Sequence, residues 1–191
     1  MRANHDEMRQ RNRQLRAALA PAQLAQAAES LAGRILLLDA YRDACRVAVY
    51  FAVNGEISLD PLIDHALAAG KQVYLPNLDQ QSLRFSPYFR AQKMRINKFR
   101  LPEPDVGNDE MLQPAQLDLV LAPLVVFDEQ RNRIGMGGGF YDRSFAMRKD
   151  PAVSRPLLIG VAHELQKVAE IVPEDWDVRL DLVVTDAAIY R

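Results

Sequence analysis

Residues 46–76 read RVAVYFAVNGEISLDPLIDHALAAGKQVYLP. Arg46 to Val53 is rich in β-branched and aromatic residues and reads as a strand. Asn54-Gly55 turns the chain. Ser58 is the expected N-cap of a helix, with Asp60 in its first turn and Pro61 near its start. That helix runs to about Ala69, and Gly70 stops it. Lys71 to Pro76 is a second strand. Strand, helix and strand at this spacing predict a parallel βαβ crossover. Downstream, Leu117 to Val125, Leu157 to Ala162 and Leu182 to Thr185 are nearly continuous apolar runs. Such runs suit strands covered on both faces. Leu83 to Phe89 alternates and reads as an edge strand or hairpin arm, and residues 90–116 read mostly as loop. Upstream, the spacing of Leu15, Leu19, Leu24, Leu31, Ile35 and Leu38 predicts two amphipathic helices broken near Pro21. Five or six strands with intervening helices predict an α/β fold with an open, mostly parallel sheet flanked by helices.

Composition agrees with that reading. The chain has 191 residues, of which 49% are hydrophobic and 26% charged, so it can bury a core without staples. No internal repeat or long linker divides it, and one domain over residues 1–191 is expected. The longest uncharged apolar run, Leu119 to Phe127, is less than half of a membrane span. The polar, Arg-rich start resembles no secretory signal. A lone Cys45 excludes a disulfide framework and is expected to be a small buried hydrophobe. A cytoplasmic setting and a monomer follow as expectations. Net charge is −1, but Arg84, Arg90, Lys93, Arg95, Lys98 and Arg100 form a segment without acids. A solvated face and a rim facing an anionic ligand both fit that block.

The richest stretch is residues 132–143, NRIGMGGGFYDR. It follows the 117–125 strand after a short polar turn and is expected to open a helix through Ser144, Phe145 and Met147. Glycines at 135, 137, 138 and 139 let backbone N–H groups approach a ligand closely. Successive N–H groups make an anion-binding concavity, and a helix N-terminus adds positive potential. Arg133 and Arg143 flank the loop and can pair with phosphate oxygens. Asp142 is a hard oxygen ligand suited to Mg²⁺. The pattern is neither G-x-G-x-x-G nor a Walker A loop, and a purely structural turn would use the same glycines.

GMGGGFYDR, preceded by APLVVFDEQRNRI, resembles the glycine-rich signature of the 5-formyltetrahydrofolate cyclo-ligase family. NGEI at 54–57, KQVYLP at 71–76 and PEDWDV followed by LDLVVTD resemble further family motifs in the same order. The resemblance implies a Rossmann-like sheet of the sugar-phosphate isomerase and CoA transferase kind. It implies conversion of 5-formyltetrahydrofolate to 5,10-methenyltetrahydrofolate with ATP and Mg²⁺. By similarity, Arg133, Ile134, Gly135, Met136, Gly137, Gly138, Gly139, Phe140 and Tyr141 form the ATP loop. Met136 to Phe140 would also border the folate, with Tyr141 and Arg143 as the catalytic side chains. Asp142 and Asp177 would ligate Mg²⁺. Phe51 and Glu56 would contact the substrate, Glu56 by accepting pterin N–H donors.

The N-terminus departs from the family pattern. Its usual Lys and Arg, four apart, fall near Asn4 and Met8 in the register set by Leu15-Arg16. Arg9 and Arg13 keep the i,i+4 spacing and are the expected substitutes at the ATP. Trp176 has two open readings, pocket edge and buried core. His5, His65 and His163 share no metal-ligand spacing and receive no role. The expected partners are small molecules, with no nucleic acid and no membrane. The rival functions are a sugar-phosphate isomerase on the same architecture and a binding module that holds RNA or an acidic partner on residues 84–100.

Overall fold

A computed structural model describes residues 2–191, with side chains from His5 onward. Two helices open the chain, α1 (Arg2–Ala17) and α2 (Pro21–Leu36), followed by a single turn, α3 (Asp39–Asp43). Strand β1 (Arg46–Ala48) leads through α4 (Asp60–Ala68) to β2 (Gln72–Asp79), which turns back into β3 (Ser82–Tyr88). A small hairpin follows, β4 (Met94–Ile96) with β5 (Pro102–Pro104). Strand β6 (Leu119–Pro123) precedes a two-residue ladder of β7 (Val126–Phe127) and β8 (Arg133–Ile134). Helix α5 (Phe140–Ser144), β9 (Leu157–Ala162), β10 (Leu182–Thr185) and β11 (Ile189–Tyr190) complete the order.

The main sheet has seven strands in the order β11-β10-β9-β6-β1-β2-β3. Its β10–β9–β6–β1–β2 centre is parallel, and the two edges, β3 and β11, are antiparallel. The crossover from β1 through α4 to β2 is the expected βαβ unit. Both sheet faces are buried. Val47, Leu119, Leu121, Ile159 and Val161 point toward α2 and α4, where Leu31, Ile35, Leu62 and Ile63 meet them. Ala48, Val120, Ala122 and Leu158 point to the other face, against Phe85, Phe145 and Leu180. This two-faced burial explains the unbroken apolar runs.

Several expectations need correction. The first strand stops at Ala48: Val49 still donates its N–H to the Tyr74 carbonyl at 2.9 Å, and the chain beyond it leaves the sheet. Leu59, not Ser58, stands at the N-cap of α4, although Ser58 Oγ accepts the Asp60 N–H at 3.1 Å. The loop at 90–116 contains the β4–β5 hairpin, held by Asn97, whose Oδ1 accepts from Phe99 and Leu101 and whose Nδ2 donates to Glu103. The helix after the glycines lasts five residues before tightening into a 3₁₀ turn at Ala146–Lys149. Cys45 is exposed, since it lies in the turn before β1 and its side chain misses the core.

Candidate active site

The parallel strands β1, β6 and β9 lie side by side, and the chain segments leaving their C-terminal ends carry the candidate residues. That edge is where ligands bind in open α/β sheets. From β1 come Phe51 and the 54–56 turn. From β6 come the β7–β8 ladder and the glycine loop. From β9 comes His163.

The loop is poised for an anion. The backbone N–H groups of residues 135–139 have no acceptor among the described residues, and Met136 to Gly138 are exposed. Gly137 has φ +93°, a conformation a branched side chain resists. Helix α1 closes over this loop. Arg9 Nε donates to the Gly135 carbonyl at 2.8 Å, and its guanidinium carbon lies 3.8 Å from the position a Gly137 Cβ would take. Arg9 is therefore at the loop, as expected. Arg13 is exposed and lies within electrostatic reach of Arg16. Met8 packs against Val125, Val126, Ile134 and Ile171. Asn4 lies outside the residues whose side chains are described.

Beyond the loop, two carboxylates distant in sequence come within electrostatic reach of each other. Asp142 Oδ1 accepts from Arg133 Nη2 at 2.6 Å and from the Val178 N–H at 3.1 Å. Asp177 Oδ2 accepts the Glu174 N–H at 2.9 Å. Burial pushes the Asp177 carboxyl up, the Glu174 N–H works against it, the Asp142 charge adds to the rise, and Arg133 and His5 oppose it. Oδ2 of Asp142 and Oδ1 of Asp177 accept no hydrogen bond from the described residues. Two such oxygens suit a hard divalent cation that completes its shell with water and phosphate oxygens. No group of three His, Cys, Asp or Glu side chains cages a metal among the described residues.

Two flanking arginines are tied to the protein. Arg133 also donates to the Val178 carbonyl, so it orients Asp142 and leaves little for a phosphate. Arg143 donates to the Gln81 and Gly138 carbonyls, both at 2.6 Å, and lies over the Phe140 ring. It braces the loop from the solvent side. Ile134 is core, and Phe140 meets Phe99 of the hairpin tip edge-on at 5.7 Å.

The residues expected to contact substrate lie near Tyr141. That ring stacks on Phe145, and burial followed by the nearby Glu56 charge pushes its phenol far up. Glu56 Oε2 accepts the Val53 N–H at 3.1 Å, and Oε1 stands 3.8 Å from Arg16 Nη1. Burial raises the Glu56 carboxyl, with the Val53 N–H and Arg16 acting against it. Phe51 packs on the core and meets Tyr88 edge-on at 5.3 Å. His163 Nε2 donates to the Gly55 carbonyl at 3.1 Å, which fixes the turn that carries Glu56. Trp176 is exposed, beside Asp177.

Sequence reasoning passed over His5 and Arg16. His5 and Arg9 are four apart, so they share a helix face, and that spacing was visible. Arg16 carried no signal, because an arginine in an amphipathic helix normally faces water. In the basic segment, Arg90, Lys93 and Arg95 pair with Asp64, Asp105 and Glu103. No described helix is long and apolar enough to cross a membrane.

Comparison with known proteins bears on this geometry. The model of the 5-formyltetrahydrofolate cyclo-ligase family matches residues 1–186. The 5-formyltetrahydrofolate cyclo-ligase of Escherichia coli K12 is 36% identical over 182 residues, spanning 94% of this chain and 98% of that protein. The Haemophilus influenzae 5-formyltetrahydrofolate cyclo-ligase is likewise 36% identical over 182 residues, 93% of this chain and 96% of its own. The NMR structure of Aquifex aeolicus 5,10-methenyltetrahydrofolate synthetase superposes with a TM-score of 0.83 at 26% identity, covering 98% of this chain and 92% of that one. With residues 1–186 matched, its sheet shared and its loop, paired aspartates and Glu56 turn gathered at one edge, this chain belongs to the 5-formyltetrahydrofolate cyclo-ligase family.

Proposed function

We propose that residues 1–191 act as one catalytic unit that uses ATP and Mg²⁺ to close 5-formyltetrahydrofolate into 5,10-methenyltetrahydrofolate. The observation that carries the reading is the run of N–H groups at 135–139 with no acceptor among the described residues, facing Arg9 and followed closely by Asp142. The N5-formyl group is amide-like and a poor electrophile. Transfer of the γ-phosphoryl group to its oxygen releases ADP and makes that oxygen a leaving group. N10 then attacks the formyl carbon, loses its proton, and phosphate departs. No side-chain nucleophile is required, so the protein's task is positioning and charge stabilisation.

Each residue has a part in that task. The loop N–H groups cradle the phosphates, and Arg9 adds charge from α1. Arg143 holds the loop shut from outside. Asp142, oriented by Arg133, and Asp177 would hold Mg²⁺. When bound, the ion neutralises charge spread over the phosphate oxygens. Glu56 accepts pterin N–H donors, while Phe51 and Tyr141 wall the ring. The test follows the near-ultraviolet absorbance of the methenyl product after mixing protein, 5-formyltetrahydrofolate and MgATP. Absorbance should rise with all three present and stop when EDTA or ADP replaces its counterpart. Product formation without ATP would overturn the reading.

A further inference from the structure

Arg16 is a buried charge whose position packing does not explain. Helix α1 docks through Met8, Asn12 and Arg16, one residue per turn, and Arg16 is only 1% exposed. Its Nη1 lies 3.4 Å from the Leu124 carbonyl and 3.8 Å from Glu56 Oε1. Nε and Nη2 have no partner among the described residues. Unpaired buried guanidinium donors are costly, and an apolar side chain of similar volume often serves stability as well or better. The only carboxylate that Arg16 approaches among the described residues is Glu56.

Backbone packing binds the two together. Gly55 has φ +74°, and a Cβ there would fall 2.9 Å from the Arg16 carbonyl oxygen. The last turn of α1 is therefore in van der Waals contact with the turn that carries Glu56. Arg16 is too sealed to touch a ligand, so any role it has toward a ligand runs through Glu56.

We infer that Arg16 is a positioning residue: its guanidinium holds the Glu56 carboxylate charged and aimed at the pterin, and so sets folate affinity and the pH range in which that affinity survives. The inference rests on Glu56 as a substrate contact. The groups around Glu56 are Arg16 from α1, Tyr50 beyond β1 and Tyr141 from α5, with His163 against Gly55 and Arg13 behind Arg16. Burial pushes both tyrosines up and His163 down, so these three stay neutral near neutral pH. Arg16 is then the one cation adjoining Glu56 among the described residues.

The experiment compares Arg16→Met, Arg16→Lys and Glu56→Gln in the full chain. It measures KM for 5-formyltetrahydrofolate and for ATP separately, and kcat/KM for folate from acid to neutral pH. Arg16→Met should raise the folate KM about 10-fold or more and leave the ATP KM within about twofold. It should also move the acid limb of the folate profile to higher pH, because the Glu56 anion loses its counter-charge. Arg16→Lys should return the limb toward the parent position. A rise in both KM values together, or a folate effect with an unmoved acid limb, would mean a structural role and overturn the inference. If Arg16→Met does not fold, Arg16→Gln applies the same criterion, and an unmoved limb again overturns it. A normal folate KM in Glu56→Gln would remove the substrate-contact reading and this inference with it. A raised folate KM in Glu56→Gln beside a parent-like Arg16→Met would remove only the role of Arg16.

Discussion

At Gly137 the chain takes φ +93°, with the Arg9 guanidinium across an open gap. Valine there adds backbone strain of ~1–3 kcal/mol and a branched group where phosphate must approach N–H groups. Gly137→Val should retain the circular dichroism of the parent while ATP affinity, measured by calorimetry, falls at least ~10-fold. Parent-like affinity would remove the loop as the phosphate cradle. His163 gives the pH dependence. Burial lowers its imidazole below the ordinary range, and in the neutral form it donates to Gly55. A group lowered in the folded state stabilises above its unfolded value, ~6.5, and that contribution is lost as pH falls through the folded value. Urea unfolding should therefore show the parent losing stability below pH ~6.5 more steeply than His163→Gln, in which the amide still donates but does not titrate. Equal slopes would place the acid sensitivity elsewhere.

Among the elements, the α5 turn and the 174–178 turn have to be read together, because each supplies one carboxylate. Asp142→Asn keeps an acceptor for Val178 but loses the charge that pairs with Arg133. Turnover at limiting Mg²⁺ should fall ~10–100-fold, with a smaller fall for Asp177→Asn, whose carboxyl burial already disfavours as the anion. Normal Mg²⁺ titrations in both variants would place the metal elsewhere. The β4–β5 hairpin narrows the question of the basic rim. Arg90, Lys93 and Arg95 already have acidic partners, whereas Lys98 and Arg100 have no carboxylate partner among the described residues. These two flank Phe99, which touches Phe140 of the loop. If they meet the glutamate tail of the folate, each exposed pair contributes ~0.2–1 kcal/mol and is screened over ~8–10 Å. Lys98→Ala/Arg100→Ala should raise KM for a polyglutamylated substrate more than for the monoglutamate, and high salt should erase the difference. A tail preference unchanged by the double substitution would exclude the hairpin.

For the whole molecule, ligand binding and folding are linked. ATP with Mg²⁺ at about 100 times its dissociation constant should stabilise the fold by ~2.7 kcal/mol. That corresponds to a rise in melting temperature of ~5–10 °C for a chain of this size, readable by scanning calorimetry. Gly137→Val should lose the rise, and a parent-like rise would separate ATP binding from the loop. The sequence by itself determined the centre of the sheet, because β6 and β9 are covered on both faces and so read as unbroken apolar runs. It also marked the loop as a place where backbone could approach a ligand, since four glycines between a strand and a helix permit that, although a structural turn would use the same glycines. Only the tertiary structure decided which charged groups are free to act. Arg133 and Arg143 read as phosphate ligands in one dimension, yet both are held by backbone carbonyls from distant segments, at Val178 and at Gln81. Arg16 looked like one more solvated arginine and is buried beside Glu56. Local pattern encodes burial and backbone conformation through short-range sterics and periodicity. The pairing of charges depends on which loops converge at the sheet edge, and that convergence is set by packing across the whole chain.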